Sequence, residues 1–529
     1  MVNDQVYLKN NVMMEPLFNQ WYAWPYLIPP ASAAMYIANS HLKTMQSFVS
    51  APQVHTLALK NPAMLGGPVI NHGVDKAGEI EKLIHETKEG NIHMLEFAEA
   101  TKALENLLIS GAHGYSLESY YSKIPDVLKG YVELVYDLDN NPSVRFIEGL
   151  LYKSKYYTTG SQSIFLSEIH NDSRSFVFST PRLKSDGGLF LNIPFSHEGI
   201  DELFGMRDTA LSYNYIKERL QISRQDENFF ASLFTAEKPL KRISYQNEGL
   251  RIRYYGHACV LLETRDISIL LDPVISYKYD NPTYRYTYTD LPEHIDYALI
   301  THNHPDHLMF ETMLQLRHKI KTVIVPKGSG ASRADPSVKL LLQAVGFNNV
   351  REIDEMESIG VEGGMIMGVP FLGEHADLNI RSKTAYYIDI EGRAVLLAAD
   401  SNNLETKLYD HISNLIDRVD ILFLGMECDG APLSWLYGPL FNKPLSRKDD
   451  QSRRFDGSNY EKAIAIVDLL KPREVYVYAM GQEPWCTFLT SIQYTSESRP
   501  IVDSNRLIEE CMRRDVISER LYGHKEIRL

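Results

Sequence analysis

The chain has 529 residues, which exceeds the roughly 250–300 residues at which a single hydrophobic core stops growing. Two large domains are therefore the simplest division. Apolar residues make up 44% of the chain and charged residues 23%, the balance of an ordinary globular protein. The formal net charge of −14 at pH 7 argues against nucleic acid as a partner, because phosphate binding needs a basic face.

Targeting and membrane segments are not apparent in the sequence. No run of about 18 apolar residues occurs, so we predict no membrane span. The first 15 residues carry charges at Asp4, Lys9 and Glu15 and lack the apolar core of a signal peptide. The four cysteines form no CxxC pair, which argues against a disulfide framework or a structural zinc site. We expect a cytoplasmic protein.

The first 245 residues predict a mixed α+β domain. The aromatic, proline-rich residues 16–30 favour a buried N-terminal arm, with a partner surface as the alternative. Residues 75–110 carry apolar side chains at helical spacing. Runs typical of strands follow at residues 131–136, 144–151 and 174–179.

The second predicted domain covers residues 246–529. We place the boundary within the polar stretch 236–249, which contains a proline and a glycine. Strand-like runs then recur with helical segments between some of them, and the short turn at Glu391-Gly392 predicts a hairpin. Two sets of strands with helices outside predict a layered α/β sandwich. The strand-like runs are residues 251–262, 267–272, 297–301, 322–326, 365–369, 383–390, 394–399, 421–424 and 475–478, and the helical segments are residues 310–318, 337–345 and 460–470.

Four side chains that can bind metal follow one predicted strand within six residues: His302, His304, Asp306 and His307. His302 and His304 lie two residues apart at the end of the strand, so both imidazoles can project to the same side. One such histidine alone would usually be an ordinary core or surface residue. Four metal-capable side chains at this spacing, between a strand and a helix, predict a metal site.

The order of motifs resembles the metallo-β-lactamase superfamily across roughly residues 250–500. Gly256-His257 lies in the first strand, and Asp272-Pro273 ends the next, before the histidine motif. The resemblance implies an αββα sandwich with a dinuclear site, but the fold hosts many reactions. We expect His257 and Asp272 to support the metal ligands rather than to bind metal themselves.

Asp400 follows the apolar run 394–399, where an aspartate bridges the two metals in that superfamily. The alternative is an aspartate that caps a loop. Hydrolases of the superfamily also supply a histidine near residues 373–375, where Glu374 and His375 are both available. Neighbouring residues of an extended chain point to opposite sides, so we expect only one of them to reach the metal.

Hydrolases of this fold supply a last histidine after a late strand, but residues 475–481 contain none, which argues against ordinary zinc hydrolysis. If Glu374 is the ligand, one metal would contact His302, His304 and a carboxylate. Two histidines and one carboxylate are the ligand set of non-haem iron oxygenases. The second metal would then contact Asp306 and His307, with Asp400 as the bridge.

The chain also resembles the diiron β-hydroxylases of chloramphenicol biosynthesis and their relatives. In that family a glutamate, here Glu374, replaces the usual histidine, and the aromatic segment Trp21–Tyr26 is similar too. The resemblance implies two iron ions, O2 as cosubstrate and hydroxylation at the β-carbon of an aminoacyl group. That group is expected to be a thioester on a carrier protein of a nonribosomal peptide synthetase. The resemblance also implies an external electron donor and a homodimer formed through the N-terminal domain.

The predicted catalytic carboxylates are Glu374, Asp400 and Glu427. Glu427 follows another apolar strand, and a solvated loop acid is the equally weighted alternative. Arg381 and Lys383 are candidates to contact a phosphopantetheine arm, although such a basic pair more often forms surface salt bridges. Two rival functions stay open: a zinc-dependent hydrolase of a thioester, lactone or phosphoester, and a docking protein with a vestigial site.

Overall fold

The N-terminal part combines small sheets with helices. The structure is a computed structural model that describes residues 4–61, 64, 66–240, 245–329 and 331–529. The strands of this part are β1 (Gln5–Leu8), β2 (Val12–Phe18), β3 (Trp21–Tyr22), β4 (Val132–Tyr136), β5 (Pro142–Phe146), β6 (Gln162–Glu168), β7 (Leu189–Leu191), β8 (Leu211–Ser212) and β9 (Phe234–Thr235). Its helices are α1 (Pro30–Tyr36), α2 (Leu42–Ser50), α3 (Pro52–Ala58), α4 (Ala77–Gly90), α5 (Ile92–Gly111), α6 (Glu148–Leu151), α7 (Glu198–Gly205), α8 (Tyr213–Arg219) and α9 (Glu227–Ser232).

The C-terminal part contains longer sheets. Its strands are β10 (Arg251–Gly256), β11 (Cys259–Glu263), β12 (Ser268–Leu271), β13 (Ile295–Leu299), β14 (Ile320–Pro326), β15 (Val350–Ile353), β16 (Ser358–Val361), β17 (Gly364–Val369), β18 (Ala385–Ile390), β19 (Arg393–Leu397), β20 (Ile421–Gly425), β21 (Glu474–Tyr478), β22 (Ile517–Arg520) and β23 (Lys525–Arg528). Its helices are α10 (Phe310–Leu316), α11 (Val338–Ala344), α12 (Lys407–Ser413), α13 (Ser434–Tyr437), α14 (Arg447–Ser452), α15 (Tyr460–Leu470), α16 (Thr487–Thr490) and α17 (Arg499–Arg513).

Two seven-stranded sheets form the centre of this part, with strand orders β15-β14-β13-β12-β11-β10-β23 and β16-β17-β18-β19-β20-β21-β22. Leu271 and Leu299 of the first sheet share a buried cluster with Leu397 and Phe423 of the second, so the sheets pack face to face. Helices α12, α15 and α17 cover the outer face of the second sheet. The predicted layered sandwich, preceded by a mixed α+β part, is therefore confirmed.

Several local predictions hold closely. Helix α15 covers Tyr460–Leu470 as predicted, and β18 and β19 form the expected hairpin. The aromatic segment near the N-terminus is buried, including Trp21, Tyr22, Trp24 and Tyr26, which confirms the buried arm. Strand β2, which leads into that arm, pairs with β6 in an antiparallel register.

Other local predictions are wrong. Residues 174–179 form no strand; the side chain of Arg174 bonds to buried Glu15 and Glu311 instead. The strand predicted at 144–151 ends at Phe146, after which α6 begins. The helical segment predicted at 75–110, by contrast, is confirmed, and it consists of two helices separated at Asn91.

No helix among the described residues is long and apolar enough to cross a membrane. The predicted boundary between residues 245 and 246 adjoins residues 241–244, which lie outside the described residues. The division of the chain at that point stays a prediction.

Candidate metal centre

The predicted ligands gather where parallel strands end. Strands β12, β13 and β14 are parallel, and so are β19, β20 and β21, so each set brings its carboxyl ends to one edge of its sheet. The histidine motif follows β13 and precedes α10. Asp400 follows β19 across the sandwich, and Glu427 follows β20. Loops at the ends of parallel strands are the usual place for a binding site in such sheets.

Two groups of possible ligands share His302 between them. One contains His302, His304 and Glu374, and the other contains His302, His307 and Asp400; within each, the ligand atoms lie within 4.8 Å of one another. His304 Nδ1 is 2.9 Å from Glu374 Oε1, and His307 Nε2 is 2.8 Å from Asp400 Oδ2. His302 Nε2 lies 3.8 Å from the same oxygen of Asp400. Asp400 therefore lies close to His302 and His307, a position that fits the bridging role predicted for it, and that role stays a prediction.

Asp272 fixes the orientation of His307. Its buried carboxylate accepts hydrogen bonds from the backbone N–H and the hydroxyl of Thr301, at 2.8 and 2.6 Å. His307 Nδ1 lies 2.8 Å from Asp272 Oδ2, so Nδ1 carries a proton, and Nε2, which faces Asp400, is the nitrogen available to a metal. This is the supporting role predicted for Asp272.

His257 approaches Asp306 through its other nitrogen. The backbone N–H of Gly481 donates to His257 Nδ1 at 3.0 Å, which leaves the proton of the neutral ring on Nε2, 3.2 Å from Asp306 Oδ2. Burial acts to raise the pKa of Asp306, but the contact with His257 and the charge of His307 hold it below its usual range. His257, Asp306 and His307 are also close enough to hold a metal by distance alone. The proton on Nε2 argues that His257 orients Asp306 instead.

Glu374 and His375 are presented by a strained turn. Gly373 and Glu374 both have left-handed φ angles, +81° and +66°, and a Cβ on Gly373 would lie 2.4 Å from Asn402 Cβ. Glu374 belongs to a metal-capable group, whereas His375 belongs to none found among the described residues. The ring of His375 stacks on His304, with centroids 4.6 Å apart.

The electrostatics of the centre call for added positive charge. Burial, followed by the charges of Asp400 and neighbouring acids, raises the pKa of Glu374 and of Glu427 well above the usual range. Burial, followed by the nearby His307, lowers the pKa of His302, which keeps its imidazole neutral as a ligand must be. His302 Nε2, His307 Nε2 and Asp400 Oδ1 are buried and have no hydrogen-bond partner within the described part of the chain. Clustered carboxylates and imidazole nitrogens fit two divalent metal ions.

Comparisons with known proteins identify the family of the chain. Residues 7–239 match the diiron non-heme β-hydroxylase N-terminal domain, and residues 268–476 match the β-lactamase superfamily domain. The 4-amino-L-phenylalanyl-[CmlP-peptidyl-carrier-protein] 3-hydroxylase of Streptomyces venezuelae is 38% identical over 99% of both chains. The chain belongs to the diiron non-heme β-hydroxylase family.

Solved structures agree. The crystal structure of CmlA, a diiron β-hydroxylase from Streptomyces venezuelae, superimposes with a TM-score of 0.94 at 38% identity, covering 99% of each chain. A UPF0173 protein of Pyrococcus abyssi is 28% identical over 42% of this chain and 80% of its own length. The predicted metallo-β-lactamase fold, diiron β-hydroxylase family and two-iron cofactor are confirmed. The roles of individual side chains stay predictions that rest on the geometry above.

A cavity of about 910 Å³ adjoins the metal centre. Pro305, between two predicted ligands, lines it, as do Trp435 and Leu436 of α13. The next residue of that helix, Tyr437, has its hydroxyl 3.4 Å from His304 Nε2. Helix α13 therefore links the cavity wall to the metal centre.

Two side chains near the centre escaped the sequence analysis. Tyr437 is 133 residues from His304, and Tyr26, whose hydroxyl lies 3.4 Å from Asn303 Oδ1, is 277 residues from that asparagine. From the sequence, Tyr26 was named only as part of the aromatic segment Trp21–Tyr26, and Tyr437 was not named. Arg381 bonds to Asp354, and Lys383 donates to the carbonyl of Gly373, so these two cations follow the salt-bridge and structural alternative.

Proposed function

We propose that this protein hydroxylates the β-carbon of an aminoacyl group held as a thioester on a peptidyl carrier protein, with O2 as cosubstrate. Membership of the family supports the reaction, and the relative from Streptomyces venezuelae acts on a carrier-bound 4-amino-L-phenylalanyl group. The observation that carries the proposal is the cavity of about 910 Å³ that ends at Pro305 beside the candidate ligands. Its volume lies at the upper end of the roughly 300–1,000 Å³ typical of ligand pockets, more than a free amino acid needs.

The distances in the metal centre support an assignment of ligands to two irons. We assign His302, His304 and Glu374 to one iron, Asp306 and His307 to the other, and Asp400 to both. Two irons bound there would supply the chemistry that activates O2. Side-chain exposures of 23% for Asp306 and 13% for Asp400 leave room for small molecules to reach the centre.

The remaining groups position the substrate and manage protons. The aromatic walls of the cavity, including Trp24, Phe178 and Trp435, exclude water from a bound aminoacyl group. Glu427 is assigned as a partly buried carboxyl that holds and releases a proton near Asp400, since its pKa is raised by desolvation and by that neighbour. The proposal includes an external electron donor, a cytoplasmic location and a homodimer formed through the N-terminal domain.

The test supplies chemically reduced, iron-loaded protein with O2 and with one amino acid in two forms, free and carrier-bound. We expect one added oxygen in the carrier-bound product, little turnover of the free amino acid, and about two irons per chain by elemental analysis. Equal rates on both forms would contradict carrier dependence. Release of free acid without added oxygen, by protein that holds zinc, would favour the hydrolase instead.

A further inference from the structure

The cavity is locally positive in an acidic chain. Its described lining contains Lys43 on α2, Lys102 on α5 and Arg447 on α14, against the single acid Asp450. The carboxylate of Asp450 already accepts hydrogen bonds from the backbone and hydroxyl of Ser434, at 2.7 and 2.8 Å. The whole chain, by contrast, carries a net charge of −14. Basic side chains that concentrate in one cavity of an acidic protein indicate an anionic ligand.

Two of these cations have no ion-pair or hydrogen-bond partner for their side chains among the described residues. Lys102 forms an ion pair with Glu99 at 2.9 Å. Lys43 and Arg447 form no ion pair or side-chain hydrogen bond with any residue that the structure describes. Both are exposed, whereas Pro305 is buried, so the cations mark the solvent end of the cavity and the metal loop marks its inner end.

We propose that Lys43 and Arg447 bind the phosphate group of the carrier's phosphopantetheine arm while its thioester end lies beside the metal loop. This inference rests on the proposed function. The arm carries its phosphate at the end joined to the carrier and its sulfur at the other end, with an uncharged amide chain between them. The burial of the lining residues falls in the matching order: Lys43 and Arg447 are exposed, Trp435 and Phe178 are half-buried, and Pro305 is buried.

The chemistry of the two side chains suits a phosphate. The guanidinium of Arg447 can give two parallel hydrogen bonds to phosphate oxygens, and the ammonium of Lys43 adds a compact positive charge. Neither side chain would lose an ion pair with a described residue on binding.

The test is a binding cycle that needs no turnover. Phosphopantetheine and pantetheine, which lacks the phosphate, are titrated into oxidised full-length protein and into the variant Lys43→Glu/Arg447→Glu. For the wild-type protein we expect phosphopantetheine to bind at least about tenfold more tightly, as charge-assisted hydrogen bonds provide. For the variant we expect the two probes to bind alike.

The matched control is Lys60→Glu/Lys448→Glu, which changes the same charge at exposed lysines outside the cavity lining; Lys448 lies on α14 beside Arg447. It should keep the wild-type preference. Equal binding of both probes to the wild-type protein would overturn the proposal, as would a preference that survives in the cavity variant. Inorganic phosphate that binds as tightly as phosphopantetheine would replace the arm with a general phosphate site and so overturn it as well.

The remaining explanation is that the cations contact the surface of the carrier. Carrier protein with and without its arm distinguishes this from a phosphate contact. If the cations contact the surface of the carrier, the cavity variant should lose equal affinity for both forms, which would contradict a phosphate contact. A loss confined to the arm-bearing form supports the inference. Failure of the proposed function would appear differently, as absence of hydroxylated product from wild-type protein that still prefers phosphopantetheine.

Discussion

Two groups of buried carboxylates in this molecule differ in how their charge is balanced. Glu15 of β2 and Glu311 of α10 are fully buried, and both bond to the guanidinium of Arg174 at 2.8 Å. Arg182 adds a second cation on Glu15. In the metal centre, the buried acids meet histidines and other acids. In the first group, arginines of the chain balance the charge of the carboxylates. In the second group, metal ions would have to supply that positive charge.

The pKa shifts follow the same division. Burial raises the pKa of Glu15, but Arg182 and Arg174 outweigh it and bring the value to about 2. Burial and neighbouring carboxylates raise the pKa of Glu374 well above its usual value, and the opposing charge of His307 is too small to reverse the effect. Buried acids of the first kind join parts of the fold. Buried acids of the second kind indicate a site for a charged ligand or metal.

The largest effect should come from the ligand carboxylate. We expect Glu374→Ala to lose most of its iron and to fall more than about 100-fold in activity, beyond the range of about 10–100-fold usual for groups that only support a ligand. His375→Ala is the matched neighbour, and it should stay within that range. Iron content and hydroxylation rate measure both variants, and the reverse ranking would contradict the ligand assignment.

The same comparison predicts opposite signs for stability. In metal-free protein at neutral pH, Glu374→Gln should unfold no earlier than wild type, because burial and neighbouring acids already disfavour the charged form of Glu374 and glutamine is always neutral.

Arg174→Met should destabilise the protein by about 3–5 kcal/mol, because it leaves the buried acids Glu15 and Glu311 without their shared cation. Urea unfolding of the metal-free protein measures the loss. Arg145→Met is the control, since its ion pair with Glu133 is exposed and should contribute about 0–1 kcal/mol. Equal, small losses of unfolding free energy in both variants would show that the buried ion pairs of Arg174 do not stabilise the fold.

Acid should weaken the ion pairs of Glu15 over a defined pH range. The pKa of Glu15 is lowered from 4.5 to about 2, so this carboxylate adds stability above pH 4.5 that is lost as the pH falls toward 2. The difference corresponds to about 3 kcal/mol. Unfolding free energies measured across this range should fall more steeply for wild type than for Glu15→Gln, which has no such titration. Parallel curves would contradict the prediction.

The difference between the two groups also explains what the sequence could predict. The metal motif from His302 to His307 is local, so its spacing was sufficient, and Asp400 stood out after an apolar strand. Arg174 meets Glu15 and Glu311 across 159 and 137 residues, and nothing in its own neighbourhood indicated that contact. Its segment was therefore interpreted as a strand from composition alone.

Backbone strain at the site was also hidden from the sequence. Five residues that are not glycine adopt left-handed φ angles where strands end around the centre: His257, Asp272, Glu374, Ala399 and Ala479. Such conformations cost on the order of 1–3 kcal/mol each and persist where the surrounding fold enforces them. Propensity would assign these residues to ordinary strands or loops, so the turns that aim the ligands appear only in the folded chain.

The smallest effect concerns a carboxylate that belongs to the metal centre yet is satisfied by the chain. Asp272 is fully buried and accepts hydrogen bonds from both donors of Thr301 while facing His307 Nδ1. In Asp272→Asn, one carboxylate oxygen becomes an NH2 donor, which cannot accept the proton of His307. The imidazole would then turn or carry its proton on Nε2, where a metal ligand must have a free lone pair.

We therefore expect Asp272→Asn to weaken iron binding by about 10–100-fold while Glu374→Ala loses most of the metal. Chelator competition measures the affinity, and the pH dependence of binding should change because the proton of His307 is involved. Asp335→Asn is the matched control: that carboxylate is equally buried but accepts hydrogen bonds from Ser329 and Ser382. It should cost stability and leave iron affinity unchanged. If both variants bind iron like wild type, the orientation of His307 does not depend on Asp272. A merely structural role for Asp272 would change the two asparagine variants in the same way.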